Sequence, residues 1–277
     1  MQLHSIYEVE TIAEGMDHPE CLAFDLAGNG VAGGEAGQLY RFRLDGHVEE
    51  VANTGGGIGG ICVDGKNKVV ECNYGLLKVQ QVDVNGEISV LSSGIESAPF
   101  VMPNFPVWDE HGNLFVTDSG NFYKPSGRLF RISKDGTTAC VYGGHLHFPN
   151  GLVISPDGKW LYMIQSTAVN ILRFSLSNGI IGEPELYFTL PGTVPDGLAF
   201  SESGNLYVAC YTPDIIYRIT PNRILQTVVA DPYGERLNRP TNVAFAPGTT
   251  MLCFANLGGY AIHGLDVGEK GAPLFYP

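Results

Sequence analysis

Phe148-Pro149-Asn150-Gly151-Leu152-Val153-Ile154, followed by Ser155-Pro156-Asp157-Gly158-Lys159, decides the reading of this chain. A polar residue stands at the mouth of an apolar run of strand length. Pro-Asp-Gly then turns the chain into Trp160-Leu161-Tyr162-Met163-Ile164. An apolar run bounded by such turn residues predicts a buried strand and a tight hairpin. The phrase recurs as Pro19-Glu20-Cys21-Leu22-Ala23-Phe24, Pro195-Asp196-Gly197-Leu198-Ala199-Phe200 and Pro240-Thr241-Asn242-Val243-Ala244-Phe245. Weaker copies are Pro103-Asn104-Phe105-Pro106-Val107 and Gly59-Gly60-Ile61-Cys62-Val63. Six copies at a period of this length predict a propeller-like array.

Each copy opens a unit with four strand-like parts separated by turn signals such as Asp45-Gly46, Asn85-Gly86, Asp135-Gly136 and Asn178-Gly179. The sixth unit ends near Val267 with one strand missing, and Tyr7–Ala13 reads as a strand that precedes the first unit. Joining the two closes the ring and removes an exposed sheet edge. The expected fold is therefore all-β, a six-bladed β-propeller over residues 1–277, with the N-terminal strand completing the last blade.

Aligning the copies places Glu20, Gly59, Asn104, Asn150, Asp196 and Thr241 at matched positions, with spacings by subtraction of 39, 45, 46, 46 and 45 residues. Read as the residues just before each innermost strand, they ring the central channel on one face. Glu20, Asn104, Asn150 and Asp196 supply carboxylate and amide oxygens, a hard-oxygen set suited to one divalent cation. Calcium is the expectation, with magnesium, manganese or zinc as alternatives. The second strand of each blade ends on the same face, at Glu35, Asn73, Asp118, Ser166, Tyr211 and Asn256. These are expected to wall a substrate pocket. Asp118 reads equally well as a hydrogen-bonded turn cap and as a second carboxylate for proton transfer.

Composition limits the partners. With 16 Lys and Arg against 29 Asp and Glu, the net charge of −13 lacks the basic stripe that nucleic acid requires. No apolar run is long enough for a bilayer, and Met1–Glu8 lacks the basic and apolar regions of a secretory signal. Cys21, Cys62, Cys72, Cys140, Cys210 and Cys253 sit in strand-like segments without a Cys-x-x-Cys pair. Buried free thiols in a reducing cytoplasm follow. Gly55-x-Gly57-x-x-Gly60 matches a dinucleotide fingerprint in form only, because Ile61-Cys62-Val63 continues it as a strand. His145, His147 and His18 lie close to the ring in sequence and read first as hydrogen-bonded loop residues. No Gly-x-Ser-x-Gly elbow is present.

On Pro149-Asn150-Gly151-Leu152 and Pro195-Asp196-Gly197-Leu198 above all, the chain resembles the SMP-30/gluconolactonase/LRE-like family of six-bladed propellers. It is more distantly similar to the paraoxonase, phosphotriesterase and strictosidine-synthase-like propellers. The resemblance implies a divalent cation, often calcium, on Glu20, Asn104, Asn150 and Asp196, the four residues that the internal alignment selects. It implies a lactonase that opens a cyclic ester by metal-activated water, with Asp196 as general base and Asp118 or His147 as second proton-transfer group. Sugar-lactonase members follow the third-blade Asn with Asp-Gly, whereas Asn104 precedes Phe105-Pro106-Val107 here, and the first-blade motif is His18-Pro19-Glu20. Aldonolactone specificity therefore does not carry over. Phe105, Phe122, Tyr123 and Phe148 point to a more apolar pocket, with Glu35, Asn73, Phe105, Tyr211 and Asn256 as substrate contacts. The expected partner is a small lactone or related ester, met by a monomer or weak homo-oligomer. The alternatives are a strictosidine-synthase-like condensation or cyclisation carried by a pocket carboxylate, and a non-catalytic metal-stabilised propeller that only binds its ligand.

Overall fold

The computed structural model describes residues 2–277, and Met1 lies outside the described residues. Six four-stranded antiparallel sheets stand around one axis. Their innermost strands are Cys21–Phe24, Ile58–Val63, Pro103–Trp108, Pro149–Ile154, Val194–Phe200 and Pro240–Phe245. Each touches the innermost strand of the next blade, and the last touches the first, so the ring closes. This is the six-bladed propeller that the repeats predict.

Closure of blade six follows the expected route. Glu10–Glu14 pairs antiparallel with Ala261–Asp266, from Glu10 opposite Gly264 to Glu14 opposite Ala261. The strand is shorter than the predicted Tyr7–Ala13, because Ile6–Glu8 winds into one 3-10 turn capped by the Ser5 and Glu8 side chains. That turn is the sole helical element among the described residues, and no helix is long and apolar enough to cross a membrane. Gly55–Gly60 runs directly into the strand Ile58–Val63, which leaves a phosphate no helix N-terminus there.

Every blade is sandwiched between two others, so its inner strands are apolar on both faces. Trp160–Gln165, for example, buries all of its residues but Trp160. Six separate apolar clusters result, one for each blade interface. Tyr207 and Phe254 belong to the cluster between blades five and six, and Phe24, Phe42 and Cys253 to the cluster between blades six and one. Asp25, Asp64 and Asp109, which follow the innermost strands of the first three blades, each accept backbone N–H groups two and four residues on. These Asx turns set the hairpin into the second strand. All six cysteines are unpaired.

Candidate metal centre and its surroundings

The sequence reading places the ring residues just before the innermost strands. The structure corrects this for five blades, where they lie inside the strand on a β-bulge. The register slips by one residue between Pro103 and Pro106, between Pro149 and Leu152, between Pro195 and Leu198, and between Pro240 and Val243. Asn104, Asn150, Asp196 and Thr241 fall inside these slips, as does Gly59 between Ile58 and Ile61. Glu20 alone stands ahead of a regular ladder, its N–H donating to the Gly33 carbonyl at 3.3 Å. A bulge opposes two residues to one, and so re-aims a side chain that regular alternation would turn into a blade interface.

Close approach of the bulges explains the glycine after Asn150 and Asp196. A Cβ on Gly151 would lie 2.5 Å from the Asp196 carbonyl, and one on Gly197 would lie 2.7 Å from the Thr241 carbonyl and Asn242 Cα. Side chains tie the same neighbours together. The Thr117 hydroxyl accepts from the Phe105 N–H at 3.0 Å and donates to the Asn150 carbonyl at 2.9 Å. Ser119 donates to the Pro149 carbonyl and Ser166 to the Pro195 carbonyl, both at 2.7 Å. Thr241 donates to the Glu20 carbonyl at 2.6 Å, which joins the last blade to the first. His18 and Phe148, before the prolines that lead to Glu20 and Asn150, have φ of 41° and 52°, a left-handed backbone that costs free energy in residues of this size.

Electrostatically the ring crowds two carboxylates together. Burial, then the charge of Glu35, pushes the Glu20 carboxyl up to about 7, and no hydrogen-bond donor offsets it. Burial, then the charge of Glu20, pushes Asp196 well above the carboxylate range, and only Asn150 relieves it. Both side chains keep a small exposed surface toward the channel, yet protein surrounds them, and bulk water cannot solvate them fully. The Asn150 Nδ2 also donates to Ser166 Oγ at 3.3 Å, so its Oδ1 is the atom left for a ligand. Two crowded, donor-poor carboxylates with two amides on matched positions fit a divalent cation with oxygen preference better than zinc. Among the described residues no three of His, Cys, Asp and Glu converge, so the amides are indispensable to such a site.

The second-strand residues are brought beside the ring but mostly turned inward. Asp118 is fully buried and its carboxylate is committed. Oδ1 accepts the N–H groups of Val101 and Met102 at 3.0 and 2.6 Å, and Oδ2 accepts Arg128 Nε and Nη2 at 3.1 and 2.5 Å. Asn73, also buried, folds the Thr54–Leu76 crossing by donating to Thr54 and Gly56 and accepting from Leu76. Ser166 orients Asn150, and Asn256 bonds His263 at 2.7 Å while its Oδ1 has no partner. Glu35 is exposed beside His18, whose Nδ1 also meets Asp17. Tyr211 receives Arg239 at 3.0 Å. His147 is exposed and its N–H donates to Gln165. Phe122 packs edge-on to Phe148 and Tyr123, forming an aromatic rim, whereas Phe105 faces the channel below the ring. Arg128 and Thr117 escaped the sequence reading. Each is fixed by a cross-strand partner that periodicity does not reveal.

The fold is a six-bladed propeller, and Glu20, Asn104, Asn150 and Asp196 lie at matched positions at the head of its innermost strands. The SMP-30/Gluconolactonase/LRE-like model matches residues 34–255, and the chain belongs to that family. Glu20 lies outside the matched residues and owes its place in the ring to the topology. Among curated relatives, Protein STRICTOSIDINE SYNTHASE-LIKE 13 of Arabidopsis thaliana is 28% identical over 160 residues, 52% of this chain and 39% of that one. Lactonase drp35 of Staphylococcus aureus is 26% identical over 181 residues, 59% of this chain and 56% of that one. The chain thus spans about half the length of these relatives or less. A gluconolactonase from Xanthomonas campestris has the same fold, with a TM-score of 0.80 at 21% identity over 95% of this chain and 89% of that one.

Proposed function

We propose that this protein is a divalent-metal-dependent hydrolase that opens a lactone, with calcium held by Glu20, Asn104, Asn150 and Asp196. The observation that carries this is the donor-poor pair of buried carboxylates, Glu20 and Asp196, on a ring completed by two amides. The family and the names of the relatives, lactonase and gluconolactonase, support the same class. When bound, the cation supplies Lewis-acid activation of the ester carbonyl.

The chain's own residues do the rest. Asn150, fixed by Ser166, presents its amide oxygen to the ring. Asp196 takes the proton of the attacking water at its carboxylate, a role that requires the ionised form. Asp118 has both oxygens committed, so it positions the Val101–Met102 segment through its buried pair with Arg128. His147, exposed at the rim, is then the group free to pass the proton onward. The aromatic rim of Phe122, Tyr123 and Phe148 favours an apolar substituent on the lactone.

The test is turnover of a lactone panel, from aldonolactones to aryl and alkyl lactones, before and after chelation and calcium readdition. Activity lost with chelator and restored by metal is expected. The Arabidopsis relative favours a second reading, condensation or cyclisation, which would show as activity indifferent to chelators. Ligand binding without any turnover would point instead to a metal-stabilised binding propeller.

A further inference from the structure

Below the ring the channel opens into a chamber of about 300 Å³. Its wall begins with Leu22, Ile61, Phe105, Leu152, Leu198 and Val243, which lie one or two residues beyond the ring positions on the six innermost strands. Its floor is the C-terminal tail, Gly271–Tyr276, which crosses the face opposite the ring. The Ala272 N–H donates to the Phe200 carbonyl at 2.9 Å, the Tyr276 hydroxyl to the Phe24 carbonyl at 3.3 Å, and the Gly65 N–H to the Pro277 carbonyl at 3.2 Å. Phe275 packs with the apolar cluster of Ile154 and Leu176, and Tyr276 with that of Val63 and Val69. The tail is moored upstream by Glu269, which accepts from Ser203, Asn205, Tyr207 and Arg218.

Most of what the chamber offers a guest is hydrocarbon, with Trp108 and Asn242 among its uncharged polar side chains. The one carboxylate on its wall, Asp25, spends both oxygens on Ala27 and Asn29. Leu26 and Leu274 also line it, and each is more than half exposed, at 57% and 51%. Large apolar side chains left in water beside an apolar hollow are where an uncharged solute would enter. Liquid water would fill this volume with roughly ten molecules at ~30 Å³ each, and a mostly apolar wall holds such waters weakly, so an apolar guest gains by displacing them. Apolar cavities of about 150 Å³ stay dry and take up benzene or xenon.

We propose that the chamber is a binding site for a small uncharged apolar molecule, up to about twice the size of benzene, entering beside Leu274. The site is separate from the ring and does not rest on the lactonase reading.

Two measurements test it, neither of which reads catalysis. Crystals of the full chain pressurised with xenon are expected to show xenon between Leu152 and the tail, and a chamber without xenon would overturn the proposal. In solution the neutral fluorophore 1-aminonaphthalene is expected to bind with a blue-shifted emission that n-octanol displaces. Leu274→Glu, at a half-exposed position on the chamber floor, is expected to weaken that binding at least ten-fold by placing a charge at the entrance. Equal binding by this variant and the unaltered chain would refute the site.

Discussion

Glu71 gives the sharpest quantitative test of how this propeller is held together. It lies on the second strand of blade two, fully buried, and neither carboxylate oxygen has a hydrogen-bond partner. Directly across the ladder stands Gln80, whose buried carboxamide oxygen is also unpartnered. Burial pushes the Glu71 carboxyl up to about 8, and the nearby Asn73 amide and Thr54 hydroxyl ease this only in part. As a neutral acid Glu71 can donate to Gln80, whereas as a carboxylate it is a bare charge between two blades. The unfolded chain releases this proton near 4.5 and the folded chain keeps it until about 8. Between those values the unfolded state binds fewer protons, so stability falls as pH rises. At 1.36 kcal/mol per unit, the loss reaches on the order of 3 kcal/mol by pH 7 and levels off above pH 8. Glu71→Gln keeps the shape and a donor for Gln80 without the titration. Urea unfolding of both proteins from pH 5 to 9 is the assay. The ring carboxylates titrate in both and cancel in the difference. The variant should gain on the unaltered protein by about 3 kcal/mol between pH 5 and pH 8. Parallel stability curves would refute the argument.

Other predictions follow from the ring and its supports. Asp196→Ala should abolish calcium binding by calorimetry together with lactone turnover, and retained turnover would remove Asp196 from the mechanism. Glu20, raised to about 7, and Asp196, raised well above the usual carboxylate range, must lose their protons to hold a cation, so calcium binding should release protons and weaken as pH falls through 7. An affinity flat from pH 8 to 5.5 would contradict this. Gly151→Ala drives a methyl against the Asp196 carbonyl and should cost roughly 1–3 kcal/mol of stability while loosening the metal site. Arg128→Ala strands the buried Asp118 carboxylate and should destabilise by roughly 3–5 kcal/mol in chemical denaturation. A loss under 1 kcal/mol would mean that water reaches Asp118.

Much of this architecture was legible because the ring positions are constrained three times over. A proline leads in, an oxygen-bearing residue follows, and a glycine makes room for the neighbouring bulge, as at Pro149-Asn150-Gly151 and Pro195-Asp196-Gly197. Repetition of that triplet exposes the period, and the period exposes the ring. The bulge itself has no residue signature, so every ring residue but Glu20 reads as a strand mouth when it is a strand interior. Asp118 was ambiguous for a different reason. Its role depends on Arg128, directly opposite it across the hairpin, and Arg128 carries no mark that distinguishes a buried counter-ion from a surface charge. Glu71, inside Val69-Val70-Glu71-Cys72, shows the same blindness, since burial of a lone carboxylate is a property of two packed blades.

The tail marks where repetition stops being informative. The segment 272–277 lies outside every repeat and reads as a short, mostly apolar stretch, yet it draws blades one, two, four and five together across one mouth of the channel. A propeller with both mouths open would expose the apolar inner strands below the ring to water along the whole axis. Polar residues stand at one end here and the tail crosses the other. The division follows from chemistry, because the cation proposed for the ring would need oxygen and access at its own mouth, while the hydrocarbon beneath it needs shelter. The same six strands supply both, by placing polar residues on bulges at the ring and apolar residues on the regular ladder below.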